Sequence, residues 1–326
     1  MNIAGLTIAD LGEHALLNRL RPYCAEGVGD DAAIQLIPAG EQLVVTTDVL
    51  VDGVHFAERT LSPNDLGWRA AAVNLSDLAA MGATPMGITV GLTLPPNTPW
   101  LWVEALYQGL TDCLNQYGGE IIGGDLSKGN HLSLGITALG SVTGPQALYR
   151  NRAQSQQALV TTGVHGASRA GLALLLGELA LAGPLAQSWI QAHQRPIPRF
   201  DAIAILQARD NIAAMDTSDG LADAVIQICR QSQVGATLLR SQLPVPPGLI
   251  DAVGRPTAEN WTLYGGEDFE LVLSLPPNLA KAFVQQLPGS QIIGQTTADS
   301  DICLIDDVEQ GPDIQLEQGQ GYQHFA

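Results

Sequence analysis

Residues 43–56 contain an apolar run that breaks abruptly into hydroxyl groups and carboxylates. Residues 43–45 have the composition of a β-strand, which is expected to end where the polar residues begin. Those polar residues are Thr46, Thr47, Asp48, Asp52 and His55. They supply hard oxygen donors and one imidazole, and hard oxygen donors suit Mg²⁺ or Mn²⁺ better than a soft metal. A strand followed by a polar turn, with Asp48 or Asp52 only capping it, explains the same residues, and the stretch alone does not decide between the two interpretations.

Two glycine-rich turns also end in carboxylates. Residues 27–29 precede the adjacent acids Asp30 and Asp31, whose mutual repulsion a bound cation would relieve. Taken alone, this pair is better explained as an exposed turn. Asp125 follows two glycines after a strand predicted over 120–122. Small residues there would let backbone amides approach a phosphate, while Asp125 binds the metal on that phosphate.

A helix predicted from Ser62 to Gly82 carries an acid where local rules disfavour one. Ser62 is a suitable N-cap, Pro63 suits the first helical position and Gly82 is a suitable C-terminal stop. Asp77 lies near the C-terminal end among alanine, leucine and methionine, where a carboxylate opposes the helix dipole by about 0.3–1 kcal/mol. An acid held against both the dipole and burial usually has a partner. Metal binding therefore explains Asp77 better than a solvent-facing helix position does.

Residues 216–219 repeat the pattern of acids and hydroxyl groups after an apolar run. They read Asp216, Thr217, Ser218 and Asp219, and a helix predicted over 221–230 follows them. Because a helix start favours carboxylates in any case, capping remains an alternative to metal binding here.

The phosphate-binding motifs of two common nucleotide-binding folds do not occur in the chain. It has neither a Walker A loop nor a G-x-G-x-x-G turn after a strand, which excludes a P-loop and a Rossmann interpretation.

Two further features could contact an anion. The glycine-containing loop 163–168, before a helix predicted over 169–182, is explained at least as well by a turn and N-cap as by anion binding. Arg150 follows a strand predicted over 131–142; a lone arginine is most often a surface residue, although beside a triphosphate it would act as a clamp.

The charge balance bears on which ligands the protein handles. The net charge is −18, and the 15 basic residues include only two lysines, Lys128 and Lys281. A nucleic-acid-binding protein would show a basic patch, and none is visible in the sequence. A phosphate-handling enzyme with so few lysines needs another way to neutralise its ligand, and divalent metals held by aspartates would provide it.

Length and composition indicate a cytosolic protein of two domains. The chain has 326 residues, 46% of them hydrophobic, and 35 glycines, which is typical of compact α/β proteins. Its four cysteines are scattered and are expected to be reduced thiols. We recognise neither a signal peptide nor an apolar segment long enough to span a membrane.

Further strands are predicted over 86–94, 157–162 and 269–274, and a further helix over 100–117. A domain boundary is predicted near residue 150.

Seven motifs, taken together and in order, resemble those of the thiamine-monophosphate kinase family. They are Gly-Val-Gly-Asp-Asp-Ala-Ala (27–33), Thr-Thr-Asp with Gly-Val-His-Phe (46–48 and 53–56), Asn-Leu-Ser-Asp-Leu-Ala-Ala-Met-Gly (74–82), Ile-Gly-Gly-Asp (122–125), Asp-Thr-Ser-Asp-Gly-Leu (216–221), Gly-Gly-Glu-Asp-Phe-Glu-Leu (265–271) and Gly-Tyr-Gln-His-Phe (321–325). They extend over nearly the whole chain. Aminoimidazole ribonucleotide synthetase and selenophosphate synthetase share the fold and some acidic motifs, whereas the Asn-Leu-Ser-Asp, Gly-Gly-Glu-Asp and closing Gly-Tyr motifs indicate the kinase.

The resemblance implies a mixed α/β (α+β) fold of two domains, similar to aminoimidazole ribonucleotide synthetase. Residues 1–150 would bind ATP and Mg²⁺ and would pair through their sheet and helices in a homodimer. Residues 151–326, an α/β domain, would complete the nucleotide and substrate site. The implied reaction transfers the γ-phosphoryl group of ATP to thiamine monophosphate and gives thiamine diphosphate and ADP, the final step of thiamine diphosphate biosynthesis.

The resemblance also implies roles for individual residues. Several Mg²⁺ ions would be bound by Asp31, Thr46, Thr47, Asp48, Asp77, Asp125, Asp216 and Asp219. ATP would contact Gly124, Asp125, Arg150 and Ser218, with Tyr107 as a weaker candidate. Thiamine monophosphate would face His55, Glu267 and Tyr322. The residues central to catalysis would be Asp48, Asp77, Asp125 and Asp219.

Two other functions are compatible with parts of this pattern. An ATP-dependent synthetase of the same superfamily would keep the metal motifs but lack the sequence contexts of His55 and Glu267. An acidic metal-binding protein without activity is the non-enzyme alternative. Against it, the acids occur in ordered clusters flanked by glycines rather than in runs.

Overall fold

A computed structural model describes residues 5–26, 28, 30–206, 211–309 and 311–321. The chain divides into two compact units. The first comprises Met1–Leu78 with Ala83–Gly144, and the second comprises Ala79–Gly82 with Pro145–Ala326. The assignment of residues 1–150 and 151–326 as two domains with separate roles stays a prediction.

The first unit is built on a four-stranded sheet with the strand order β1-β4-β2-β3. The strands are β1 (Glu41–Val51), β2 (Thr84–Leu94), β3 (Ile121–Lys128) and β4 (Ser133–Thr143). β4 pairs antiparallel with both β1 and β2, and β2 pairs parallel with β3. Ile88, Val90 and Ile136 are among the side chains buried on one face of this sheet. On β1, the alternate residues Leu43, Val45 and Val49 point to the opposite face and are 44%, 55% and 53% exposed.

In the described part of this unit the helices are α1 (Ile8–Leu11), α2 (Glu13–Leu20), α3 (Pro63–Ala80) and α4 (Trp100–Tyr117). Glycines let α3 and α4 approach closely, because a Cβ added at Gly67 would overlap the carbonyl oxygen of Leu106, and one at Gly109 would overlap that of Asn64. The hydroxyl of Ser62 accepts a hydrogen bond from the backbone N–H of Asp65 at 3.2 Å. The predicted N-cap of α3 is therefore confirmed.

The second unit contains a seven-stranded mixed sheet with the order β11-β10-β7-β9-β5-β8-β6. Its strands are β5 (Ala158–Thr161), β6 (Ala213–Asp216), β7 (Gly235–Leu239), β8 (Leu271–Leu275), β9 (Gln291–Thr297), β10 (Ile302–Ile305) and β11 (Ile314–Gln315). Its helices are α5 (Ala167–Leu176), α6 (Pro184–Gln194), α7 (Phe200–Ile205), α8 (Leu221–Ser232), α9 (Leu249–Val253), α10 (Arg255–Tyr264) and α11 (Pro277–Gln286).

This second sheet has a hydrophobic core on each face. On β8, Val272 packs into a cluster with residues of α8, whereas Leu271 and Leu273 pack into a separate cluster with Phe283 of α11. Because both faces are covered, Leu271, Val272 and Leu273 are apolar in succession rather than alternating with polar residues.

The predicted mixed α/β class is confirmed, and several predicted element bounds are wrong. β3 runs to Lys128, well past the predicted 120–122, so that Gly124 and Asp125 lie within the strand. α5 ends at Leu176 instead of residue 182, because Gly177 adopts a left-handed conformation with φ of 77°. β8 begins at Leu271 instead of residue 269, because the backbone before it makes a turn. Within the described ranges, no helix is both long and apolar enough to cross a membrane.

Candidate active site

The polar residues of β1 are attached to α3 by two hydrogen bonds. The hydroxyl of Thr46 donates a short hydrogen bond to the carboxylate of Asp77. The backbone N–H of Asp48 donates to the side-chain oxygen of Asn74 at 3.2 Å. Asn74 and Asp77 are three residues apart and share one face of the helix. The fold therefore brings together three predicted site residues, Thr46, Asp48 and Asp77.

The expectation that a strand ends before Thr46 is wrong, because β1 continues to Val51. Side chains alternate along a strand, so Thr46 and Asp48 share the half-buried face, while Thr47 points to the other face and is exposed. There the hydroxyl groups of Thr47 and Thr137 on β4 lie 2.8 Å apart. Side-chain metal binding by Thr47 would therefore occur on the face opposite Thr46 and Asp48.

The carboxylate of Asp77, expected from its position to have a partner, is paired with Thr46. It is half-buried between Ser76 and Leu78, which are both fully buried, and it accepts the hydrogen bond from Thr46. Asn74, which the sequence analysis did not single out, is also fully buried, and its amide donates to the backbone oxygen of Ala70 at 3.0 Å. Its place three residues before an acid on an apolar helix is the sequence signal that indicates such a role.

Asp125 lies on the edge strand β3, where its carboxylate is exposed and accepts a hydrogen bond from the Ser127 hydroxyl at 2.9 Å. The neighbouring Gly124 has a packing reason to be glycine. A Cβ at this position would overlap the backbone oxygen of Val90 on β2. Close pairing of β2 and β3 thus explains this glycine without a phosphate, and nucleotide contact by Gly124 stays a prediction.

His55 lies in the turn after β1. Its Nδ1 accepts a hydrogen bond from the backbone N–H of Val51 at 3.0 Å. A neutral imidazole that accepts at Nδ1 carries its proton on Nε2. His55 is therefore arranged to donate a hydrogen bond from Nε2, which suits an anionic group better than a metal.

Two other predicted residues of the first unit differ in exposure. Asp31 is exposed in a bend of the chain. Tyr107 on α4 is 4% exposed and packs edge-on against the ring of Tyr23, with ring centroids 6.1 Å apart. Burial raises the pKa of the Tyr107 phenol, so that it stays protonated.

In the second unit, the turn after β6 lies against the turn before β8. Asp216 is 3% exposed at the end of β6, and the Ser218 hydroxyl donates to its carboxylate at 3.3 Å. The backbone oxygen of Ser218 accepts a hydrogen bond from the N–H of Glu267 at 2.7 Å. The approach is close, since a Cβ added at Gly266 would lie 2.8 Å from that same Ser218 oxygen. Residues predicted to bind metal, nucleotide and substrate are therefore neighbours here.

Residues 267–269 have an unusual backbone that one half-buried acid holds in place. Glu267 and Phe269 have φ angles of 59° and 52°, which side-chain-bearing residues rarely adopt. Between them, Asp268 accepts hydrogen bonds from the backbone N–H groups of Gly166 and Ser168 at 2.6 and 2.9 Å. The loop 163–168 thus directs its amides at a carboxylate of the same chain, and capping explains the loop better than binding of an external anion.

The surroundings of Asp268 and its neighbours are strongly charged. Burial raises the pKa of Asp268 to about 7; its two N–H donors oppose this, and the charges of Glu270 and Glu267 add to it. Burial also raises the pKa of Glu270, against the opposing effect of Arg199, whose guanidinium donates to its carboxylate at 2.5 Å. Glu267 lies 3.8 Å from Nδ1 of the buried His193, which in turn is 3.1 Å from the Ser168 hydroxyl.

Arg150 begins a short 3-10 helix, Arg150–Arg152. Its Nη1 donates to the side-chain oxygen of Gln227 on α8 at 2.7 Å. Tyr322 lies outside the described residues. Among the residues that the structure does describe, no group of three or more His, Cys, Asp or Glu side chains is arranged to hold a metal ion.

Comparison with known proteins identifies the family. The family model described as AIR synthase related protein, N-terminal domain, matches residues 29–142. The thiamine-monophosphate kinase of Synechococcus elongatus is 48% identical over 328 residues, which cover 98% of this chain and 98% of that protein. The chain belongs to the thiamine-monophosphate kinase family. The resemblance found in the sequence motifs is therefore confirmed.

Solved structures of the thiamine-monophosphate kinase family share the fold along nearly the whole chain. The crystal structure of thiamine-monophosphate kinase from Stenotrophomonas maltophilia matches with a TM-score of 0.79 and 35% identity, and the match covers 91% of this chain and 96% of that one. The structure described as AaThiL complexed with AMPPCP and TMP matches with a TM-score of 0.75 and 29% identity, over 95% of this chain and 98% of that one.

Proposed function

We propose that this protein transfers the γ-phosphoryl group of ATP to thiamine monophosphate, giving thiamine diphosphate and ADP, the final step of thiamine diphosphate biosynthesis. The observation that carries the proposal is the 48% identity to a thiamine-monophosphate kinase over 98% of both chains. The solved relative described with AMPPCP and TMP supports binding of a nucleotide and thiamine monophosphate. The protein is accordingly a phosphotransferase that uses ATP as co-substrate.

The reaction needs little covalent chemistry from the protein. A phosphate acceptor already carries an anionic oxygen near neutral pH, so no strong general base is required. The difficulty is bringing two anions together, and phosphoryl-transfer enzymes do this by positioning and charge neutralisation. The half-buried acids Asp268 and Glu270 are engaged in hydrogen bonds with backbone amides and with Arg199, so neither of them is placed as a general base.

Mg²⁺ ions are part of the proposal, with Asp31, Thr46, Thr47, Asp48, Asp77, Asp125, Asp216 and Asp219 as the residues that would bind them. The donor chemistry fits, because every member offers hard oxygen ligands. Two members support it further: Asp77 is half-buried near the C-terminal end of α3, and Asp216 is 3% exposed at the end of β6. Bound Mg²⁺ would neutralise phosphate charge in a chain that has only 15 basic residues against 33 acidic ones.

The nucleotide and substrate residues are proposed from the same motifs. Gly124, Asp125, Arg150, Ser218 and Tyr107 would contact ATP. The carboxylate of Glu267, which is 35% exposed, would face the cationic thiazolium ring of thiamine, together with the aromatic Tyr322. His55 would donate a hydrogen bond from Nε2 to an anionic oxygen of the substrate.

We also propose that the protein is a cytoplasmic homodimer. Leu43, Val45 and Val49 expose a stripe of apolar side chains on β1, interrupted by Thr47, and β1 lies at an edge of its sheet. Exposed apolar stripes of this kind favour association with another chain. The free thiols of all four cysteines support a reducing compartment.

Chromatography of thiamine phosphates tests the function. The purified protein is incubated with ATP and Mg²⁺, and with either thiamine monophosphate or free thiamine. We expect thiamine diphosphate from the first acceptor and no phosphorylation of the second, because a phosphate acceptor needs no general base and none of the described residues is assigned that role for a neutral hydroxyl. Phosphorylation of free thiamine with equal efficiency would overturn the proposed acceptor.

A further inference from the structure

Helix α8 carries two polar residues in a stretch that is otherwise buried. Asp223 and Gln227 are half-buried, while the other residues from 221 to 229 are buried. The two are four residues apart and therefore neighbours on the helix surface. The amide nitrogen of Gln227 donates to the carboxylate of Asp223, which orients the amide oxygen away from that acid.

The oriented amide oxygen of Gln227 accepts a hydrogen bond from Nη1 of Arg150 at 2.7 Å. The end of α8 holds the backbone of the same turn. The Ser232 hydroxyl donates to the backbone oxygen of Arg150 at 2.8 Å and accepts from the N–H of Ala153 at 3.0 Å. Helix α8 thus fixes both the side chain and the main chain of Arg150. The first residue of α8, Leu221, follows the turn 216–220, which contains Ser218.

We propose that Gln227 is a positioning residue that holds Arg150 ready for the phosphates of the nucleotide. This inference rests on the proposed function, in which Arg150 and Ser218 contact ATP. Ordering a long arginine side chain costs conformational entropy. A nucleotide that binds to an arginine already held in place does not have to offset this cost, and it therefore binds more tightly. Gln227 supplies the order at no electrostatic cost, because a neutral amide leaves the guanidinium charge available to an anion. A carboxylate at position 227 would pair with Arg150 and compete with the phosphates.

Two substitutions at position 227 separate positioning from simple packing. Gln227→Met keeps the length of the side chain and removes the acceptor, whereas Gln227→Glu keeps an acceptor and adds a charge. A third variant, Asp223→Ala, leaves Gln227 in place but removes the acid that orients its amide, and alanine is well tolerated in a helix. Gln108→Met is the matched control, because Gln108 on α4 is exposed and makes the same four-residue contact, to Asp112 at 2.7 Å.

The experiment measures binding of AMPPCP with Mg²⁺ by calorimetry, KM for ATP and for thiamine monophosphate, and thermal unfolding. Loss of one such hydrogen bond predicts roughly three- to tenfold weaker AMPPCP binding in Gln227→Met, with an equal rise in KM for ATP. KM for thiamine monophosphate and the unfolding midpoint should stay near those of the wild type. Gln227→Glu should weaken binding at least as much, Asp223→Ala should weaken it less, and Gln108→Met should match the wild type.

Unchanged AMPPCP affinity in both Gln227→Met and Asp223→Ala would overturn the inference, as would Gln227→Glu binding better than Gln227→Met. A drop in stability with unchanged affinity would show that Gln227 serves packing only. The binding measurement needs no turnover. A protein whose affinity for AMPPCP depends on Gln227, but whose wild type makes no thiamine diphosphate, would contradict the proposed function and leave this inference standing.

Discussion

Thr46 on β1 donates a short hydrogen bond to Asp77 on α3, across 31 residues of sequence. The bond gives a half-buried carboxylate near the C-terminal end of a helix a partner that comes from the chain itself. Thr46 and Asp77 are therefore held together before any metal binds. The helix dipole and burial still disfavour the negative charge of Asp77, so a bound cation would relieve a cost that the folded chain carries without it.

The substitution Asp77→Asn tests whether the charge of Asp77 costs stability without metal and contributes to Mg-ATP binding. The amide oxygen can still accept the hydrogen bond from Thr46, while the unfavourable charge is gone. The metal-free variant should therefore be as stable as the wild type or more so. It should lose much of the rise in melting temperature that Mg-ATP produces, because that rise scales with binding to the native state, and turnover should fall severely. Thermal melts with and without Mg-ATP, beside a turnover assay, measure all three. A variant that is strongly destabilised without metal, yet keeps its Mg-ATP shift and its activity, would identify Asp77 as a structural acid.

The substitution Asp48→Asn should abolish transfer and leave the fold intact. The hydrogen bond between Asp48 and Asn74 uses the backbone N–H of Asp48, so it survives the change of side chain. The carboxylate shares the half-buried face of β1 with Thr46, where it would bind Mg²⁺. Activity and the melting temperature of the metal-free protein should be measured together. A large fall in that melting temperature would point to a structural role instead.

The pKa of Asp268 predicts a pH dependence of stability. Burial raises this pKa from 3.8 to about 7 in the folded protein, so between these values the folded protein binds more protons than the unfolded chain. The contribution of Asp268 to stability is thus fully present below about pH 4 and is lost as the pH rises towards 7. Asp268→Asn cannot titrate and should also lose one of the two N–H contacts to Gly166 and Ser168.

We therefore expect Asp268→Asn to be less stable than the wild type at pH 5, with a smaller difference at pH 8. Thermal melts over this pH range measure the difference. Asp251→Asn, at an exposed acid of α9, is the control. A gap between wild type and Asp268→Asn that widens as the pH rises would show that the folded protein favours the charged form.

If the exposed stripe of β1 forms the homodimer interface, a charge placed in it should give a monomeric protein. Val45→Lys places a charge in the centre of the apolar face formed with Leu43 and Val49, and it should dissociate the proposed homodimer. Ile197→Lys is the control, because Ile197 is 57% exposed in the second unit. Sedimentation velocity over a range of concentrations should show dimers for the wild type and for Ile197→Lys, and monomers for Val45→Lys. A wild-type monomer, or a Val45→Lys dimer of unchanged affinity, would refute the proposed interface.

Local sequence rules predicted those features that local contacts determine. The bounds of α3 follow from the Ser62 cap and from Gly82, which has a φ of 70°, so its extent could be predicted well. The end of β1 could not, because polarity at Thr46 also suits a half-buried strand at the edge of a sheet. The turn before Leu271 was missed for a different reason, since non-glycine residues with positive φ leave little trace in a sequence.

The residues that arrange the site are harder to predict than those that carry its chemistry. Asn74 and Gln227 act on residues that are 26 and 77 positions away. In the local sequence, Asn74 is marked only by its place three residues before an acid on an apolar helix, and nothing separates Gln227 from other amides on helices. Only the pairing of α3 with β1, and of α8 with the turn at Arg150, reveals their contacts.

The most direct test of the account follows the γ-phosphorus of ATP. The protein is incubated with Mg²⁺, thiamine monophosphate and ATP labelled in its γ-phosphoryl group, and the products are separated by chromatography. We expect the label to appear in thiamine diphosphate, with one labelled molecule for each ADP formed. Label that appears only in inorganic phosphate, with no labelled thiamine diphosphate, would contradict direct transfer and would favour a synthetase or a protein without this activity.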